Sequence, residues 1–146
     1  MSGDGVQRAA GGETAERDEA TRSAARVLIV DDERAVGAVL GRMLKSMSVT
    51  FSQSAAGALG RIAAGGHYSA IVCDLRMPGM DGLQFFDEVA KLDARLARRI
   101  VFVTGAGSDS RFEAFLERTG CAYLPKPVDG EALRAAVAAA GSAAAG

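Results

Sequence analysis

Short apolar runs alternate with longer stretches whose apolar residues recur every three or four positions. The run RVLIVD, Arg26–Asp31, is apolar and β-branched, which predicts a strand buried on both faces. ERAVGAVLGRMLKSM follows, with Val36, Val39, Leu40, Met43 and Leu44 at helical spacing. VTFSQ predicts a weaker second strand, and Ser54 to Ala64 a helix stopped by Gly65 and Gly66. YSAIVCD predicts a third strand. The helix from Gly82 to Lys91 then carries Leu83, Phe86 and Val89 one turn apart. RIVFVTG predicts a fourth strand. Ser110 opens the next helix, with Glu113 completing a capping box, an inner stripe of Phe112, Phe115 and Leu116, and Gly120 at its end. CAYLP predicts a fifth strand. Asp129 caps a last helix with a narrow stripe of Leu133 and Val137, and Asp81 caps the helix that begins near Gly82.

Strand and helix thus alternate five times. Such alternation predicts an α/β fold, a five-stranded parallel sheet covered by helices on both faces. Ligands of these open sheets bind at the carboxyl ends of the strands.

Residues 26–140 form this domain. Residues 1–25 hold Gly, Ala, Ser, Thr and charges of both signs, with Val6 the sole large aliphatic after Met1. They predict a disordered tail, which a leader or a linker remnant would match equally. Residues 141–146 predict a second, short tail. A length of 146 residues suits one domain, and 49% hydrophobic residues suffice for a core. The net charge of -1 supplies no basic field for nucleic acid or an anionic membrane, so neither is expected as a partner. No apolar run approaches the about 18 residues of a membrane span. No secretory h-region begins the chain, which predicts a cytoplasmic location. Cys73 and Cys121 lie in apolar segments, as reduced thiols packed like small hydrophobes.

The candidate chemistry sits where strands end. The first ends in Asp31 and Asp32, the third in Asp74, the fourth in Thr104, and the fifth near Lys126. In a parallel sheet these ends share one edge, so carboxylates, a hydroxyl and an ammonium converge. Neighbouring carboxylates raise one another's pKa, and a divalent cation relieves the repulsion. Oxygen-only ligands suit Mg²⁺, a cation usually completed by phosphate oxygens. Thr104 and Lys126 could then contact a phosphoryl group, and Asp74 could be the nucleophile of an aspartyl phosphate.

VDDE at Val30–Glu33, DLRMPGMDG at Asp74–Gly82, VTG at Val103–Gly105 and YLPKP at Tyr123–Pro127 occur in order, at strand ends. Together they resemble the response-regulator receiver domains, the CheY-like family of two-component phosphorelay signalling, over about residues 26–140. The resemblance implies a doubly wound, flavodoxin-like sheet in the order 2-1-3-4-5. It implies that Asp74 accepts a phosphoryl group from a phosphohistidine of a sensor histidine kinase or a histidine phosphotransfer protein. Asp32, Asp74 and the backbone carbonyl of Arg76 would bind Mg²⁺ directly, and Asp31 mostly through water. Thr104 and Lys126 would contact the phosphoryl group. Tyr123 would be the aromatic switch, and the Lys126–Pro127 peptide would be cis. The output would be a changed surface formed by the helix from Ser110, the fifth strand and the last helix. That surface would be read by a downstream protein the sequence does not identify. Self-association there is common in the family and is left open. Members act as self-phosphorylating switches, not turnover enzymes.

Two positions depart from the family's commonest pattern. Val128 stands where Phe is usual, which changes packing under the last helix. Arg76 lies two residues past the acceptor, where a cation could touch the phosphoryl group or block attacking water. FVTGAG and RTGCAYLPKP resemble receivers attached to hybrid histidine kinases. The chain reads either as a stand-alone receiver or as one cut from a larger protein.

Plainer roles stand beside these. Asp31 or Asp32 alone could cap a helix, Tyr123 could simply pack, and His67 is expected to be exposed in its Gly-Gly loop. Met77 and Met80 are expected to pack in theirs. A haloacid-dehalogenase-type phosphatase needs Asp-x-Asp after the first strand, which Asp31-Asp32-Glu33 does not supply. A receiver-like module that takes no phosphate is the other alternative, against which the full set of Asp32, Asp74, Thr104 and Lys126 argues.

Overall fold

A computed structural model describes residues 25–105 and 110–145 of the chain, so the expected N-terminal tail lies outside the described residues. Five strands, β1 (Arg26–Val30), β2 (Ser48–Ser52), β3 (Ala70–Asp74), β4 (Ile100–Thr104) and β5 (Ala122–Pro125), form one sheet. Every neighbouring pair is parallel, in the order β2-β1-β3-β4-β5, as the resemblance implies. The helices are α1 (Arg34–Met43), α2 (Ala55–Ala63), α3 (Gly82–Leu92), α4 (Ala94–Ala97), α5 (Ser110–Thr119) and α6 (Gly130–Ala145).

Side-chain alternation along the strands builds two cores. Leu28, Val30, Ile71, Cys73, Ile100 and Phe102 face a layer drawn from α2 through α5, including Ala58, Phe85, Val89, Leu96 and Phe115. Val27, Ile29, Ala70, Val72 and Val103 face α1 and α6 through Leu40, Leu133 and Val137. Covering both faces explains why the central strands read as unbroken apolar runs. Full burial of a side chain such as Phe85 or Leu133 contributes about 1.5–3 kcal/mol. Val128 is partly buried and packs against the second core, to which α6 contributes Leu133 and Val137.

Several boundaries differ from the sequence reading. The first helix ends at Met43, not Met47, because a turn closed by Met47 N–H on the Leu44 carbonyl returns the chain to β2. The one-turn helix α4 is not foreseen; the Asp93 side chain caps it by accepting from the N–H groups of Arg95 and Leu96. Helix α5 includes Ser110, which moves the cap position to residue 109, outside the described residues. The expected C-terminal tail from Gly141 is helical through Ala145, since α6 is rich in alanine, the strongest helix former. Other local signals act as read. Asp81 and Gln84 form a reciprocal capping box on α3, and Asp129 accepts from Ala132 N–H at the start of α6. Gly120, at φ +71, ends α5 in the left-handed region where a side chain is strained.

Candidate functional site

Parallel register brings the strand ends to one edge. Asp74 pairs with Val103 across β3 and β4, and Thr104 with Pro125 across β4 and β5. Asp31 follows β1 directly, its N–H donating to the Ser52 carbonyl at 3.2 Å. The Lys126 N–H donates to the Thr104 carbonyl at 2.8 Å, so the β4–β5 ladder delivers the lysine to the same edge.

Asp31, Asp32 and Asp74 each offer a carboxylate oxygen within 4.8 Å of the others. Asp31 is 1% exposed and Asp74 6%. The Asp31 Oδ1 accepts from Glu33 N–H at 2.8 Å. Its Oδ2 is buried without a hydrogen bond and lies 3.9 Å from Lys126 Nζ. The Asp74 Oδ1 accepts from Arg76 N–H at 3.3 Å, and its Oδ2 lies 3.5 Å from Lys126 Nζ. Burial pushes the Asp31 carboxyl up from its ordinary pKa; the Asp74 charge adds to this, while Glu33 N–H and Lys126 oppose it. Burial likewise raises Asp74, opposed chiefly by Lys126. The carboxylates therefore gather more negative charge than one ammonium offsets. An all-oxygen donor set with a buried carboxylate oxygen that accepts no hydrogen bond fits a hard divalent cation such as Mg²⁺.

The loop after β3 is held tightly over this edge. Leu75 N–H donates to the Val103 carbonyl at 2.9 Å, and Gly82 N–H to the Leu75 carbonyl at 2.8 Å. A Cβ on Gly82 would stand 3.0 Å from the Leu75 Cα and 3.1 Å from the Phe102 ring, so a residue without a side chain lets α3 start this close. Met77 is buried in this loop and Met80 partly so, against the α2–α5 core. Cys73 Sγ donates to the Asp74 carbonyl at 3.2 Å, and burial beside the aspartates pushes its thiol well up. Both cysteines are free and buried.

Thr104 ends β4 and is buried, with Phe102 two residues before it on the same strand face. Tyr123 on β5 is half-exposed and packs edge-on against Phe112 of α5, with ring centroids 5.7 Å apart. Phe112 in turn meets Phe102 at 6.0 Å, so a run of rings joins Tyr123 to the strand that carries Thr104. The Lys126–Pro127 peptide is cis. The Arg76 and His67 side chains are exposed. A surface concavity of about 860 Å³, lined by residues such as Ser54, Pro78, Gln84 and Asp87, shares no residue with the carboxylate cluster. Sequence reasoning missed Gln53, whose side chain meets the Asp32 backbone from the end of β2; no spacing motif links positions 21 residues apart. Among the described residues, no helix is long and apolar enough to cross a membrane.

The profile of the family described as "Response regulator receiver domain" matches residues 27–138. Over 114 residues the chain is 32% identical to the transcriptional regulatory protein GlrR of Escherichia coli (strain K12), covering 77% of this chain and 25% of that protein. Over 104 residues it is 36% identical to the response regulator MprA of Mycobacterium sp. (strain KMS), covering 70% and 44% respectively. The chain therefore spans less than half the length of these curated relatives. A CheY-like response regulator receiver domain protein from Methanospirillum hungatei JF-1 superposes with a TM-score of 0.74 at 25% identity, over 84% of this chain and 97% of that one. A receiver domain protein from Clostridium thermocellum shares the fold at TM-score 0.71 and 24% identity, over 82% and 95%.

Proposed function

Because the chain belongs to the response regulator receiver domain family, we propose that Asp74 accepts a phosphoryl group from a phosphohistidine of a sensor histidine kinase or a histidine phosphotransfer protein. The observation that carries this reading is the meeting of Asp31, Asp32 and Asp74 with Lys126, 3.5 Å from Asp74 Oδ2, at one sheet edge.

A carboxylate oxygen of Asp74 forms the new bond to phosphorus as the phosphorus–nitrogen bond of the donor breaks. The bonding pair stays on the imidazole nitrogen, which takes a proton. Transfers of this kind depend chiefly on positioning and charge neutralisation. The Arg76 N–H bond and Lys126 hold Asp74 in place, and the ammonium faces the incoming charge. The Thr104 hydroxyl, at the neighbouring strand end, donates to a phosphoryl oxygen. Asp32, Asp74 and the Arg76 carbonyl would hold Mg²⁺ directly, with Asp31 contributing mostly through water. When bound, the ion offsets the carboxylate and phosphoryl charge.

Movement of Thr104 toward the phosphoryl group vacates space for Tyr123 to turn inward. Phe112 must adjust with it, because the two rings touch. The surface of α5, β5 and α6 changes, and a partner that prefers one form shifts the population. The Arg76 side chain, exposed beside Asp74, sets the lifetime of the phosphoryl group by meeting it or shielding it from water.

The test is incubation of the purified chain with acetyl phosphate and Mg²⁺, followed by mass measurement. One phosphoryl group per chain, labile to hydroxylamine and absent from Asp74→Ala, is the expected result. Labelling of Asp74→Ala at the normal rate overturns the assignment.

A further inference from the structure

We propose that Gln53 is a positioning residue for the cation site, fixing the backbone from which the Asp32 carboxylate hangs. The inference rests on the reading of Asp31, Asp32 and Asp74 as a Mg²⁺ site.

Two of the three carboxylates are tied in place. Asp31 accepts from Glu33 N–H and faces Lys126, and Asp74 accepts from Arg76 N–H and faces Lys126. Among the described residues, no hydrogen bond or ion pair restrains the Asp32 carboxylate, so its position depends on its backbone.

That backbone lies in the turn between β1 and α1. The first carbonyl to receive a helical N–H is that of Glu33, from Gly37 at 3.1 Å. The Asp32 carbonyl precedes it and gets no donor from α1. Gln53 supplies one: its Nε2 donates to the Asp32 carbonyl at 3.4 Å. Its Oε1 accepts from Arg34 Nε at 3.3 Å. One carboxamide thus spans both sides of the turn, meeting residues 32 and 34.

Gln53 itself has a firm base. Ser52 before it is buried, with its hydroxyl donating to the Ser54 carbonyl at 2.9 Å, and Ser54 caps α2 by accepting from Gly57 N–H at 3.0 Å. The sheet and α2 together hold the residue that steadies Asp32. Groups that orient a metal ligand commonly set the affinity of the site.

Gln53→Met keeps the length of the side chain and removes both hydrogen bonds; the residue is exposed, so the fold tolerates it. Mg²⁺ affinity is read by calorimetry and by the amide resonances of Asp32 and Glu33. The rate of labelling by acetyl phosphate is followed against Mg²⁺ concentration. The half-saturating Mg²⁺ concentration is expected to rise roughly threefold to tenfold. The maximal rate at saturating Mg²⁺ and the melting temperature are expected to stay at wild-type values. Arg34→Met, which leaves the Gln53–Asp32 bond, is expected not to weaken Mg²⁺ binding. Equal half-saturation in wild type and Gln53→Met overturns the inference, as does equal weakening in Arg34→Met. A wild-type chain that binds no Mg²⁺ at all instead removes the site reading on which it rests.

Discussion

Lys126 Nζ lies 3.5 Å from Asp74 Oδ2 and is the only cation among the described residues paired with a buried carboxylate. The relationship is asymmetric. The Asp74 side chain is 7% exposed and that of Lys126 25%, so the aspartate depends more on the pair than the lysine does. Lys126 also faces Asp31, so one ammonium serves two carboxylates.

Replacing that ammonium separates its two effects. Lys126→Gln leaves Asp31 and Asp74 buried without a countercharge, and metal-free stability is expected to fall by about 1–2 kcal/mol, below the 3–5 of a fully buried pair. Mg²⁺ binding is expected to tighten, because a repelling cation has left the site. Denaturant titration and calorimetry on the same protein check both. Weaker Mg²⁺ binding in Lys126→Gln contradicts the electrostatic account.

The raised pKa values of Asp31 and Asp74 make stability depend on pH with a definite sign. Both groups hold their proton more tightly folded than unfolded, so their contribution is full below the ordinary carboxylate pKa. It is lost as pH rises through the raised values. Without metal, Asp74→Asn is therefore expected to be more stable than wild type at neutral pH, by about 1 kcal/mol or a few degrees of melting temperature. The advantage shrinks as pH falls through the carboxylate range. Paired thermal melts across pH, with chelator present, measure it; an advantage that grows toward acid refutes the assignment.

The exposed ring and the buried rings should part company. Tyr123→Ala is expected to cost under about 1 kcal/mol, since half of the ring is already in water. Phe102→Ala, fully buried among Phe112 and Phe115, is expected to cost about 3–5 kcal/mol. Tyr123→Ala should still take phosphoryl from acetyl phosphate while losing the phosphorylation-dependent amide shifts of α5 and α6. Urea denaturation and resonance mapping test the pair.

Asp81 is acidic and lies on the loop after Asp74, yet its side chain caps α3 with Gln84. Asp81→Ala is expected to lower stability by about 1 kcal/mol and leave the Mg²⁺ dissociation constant unchanged. A weakened Mg²⁺ site in that variant places Asp81 among the ligands.

Periodicity alone determines the α/β class and the alternation of strand and helix, because side chains alternate along a strand and repeat every turn of a helix whatever the remainder of the chain does. The same local rules give Asp81, Asp129 and Gly120 their roles at helix ends. The acidic and basic residues are legible as strand-end residues, and a parallel sheet puts strand ends together. The sequence does not show the one-turn helix α4, too short to leave a period, or the extension of α6 past Gly141. Only the tertiary structure decided that Asp31 buries an oxygen with no hydrogen bond, that Tyr123 leans outward on Phe112, and that Gln53 reaches the Asp32 carbonyl. Each depends on register and loop closure between segments far apart in the chain, and those distances are set by the packed core.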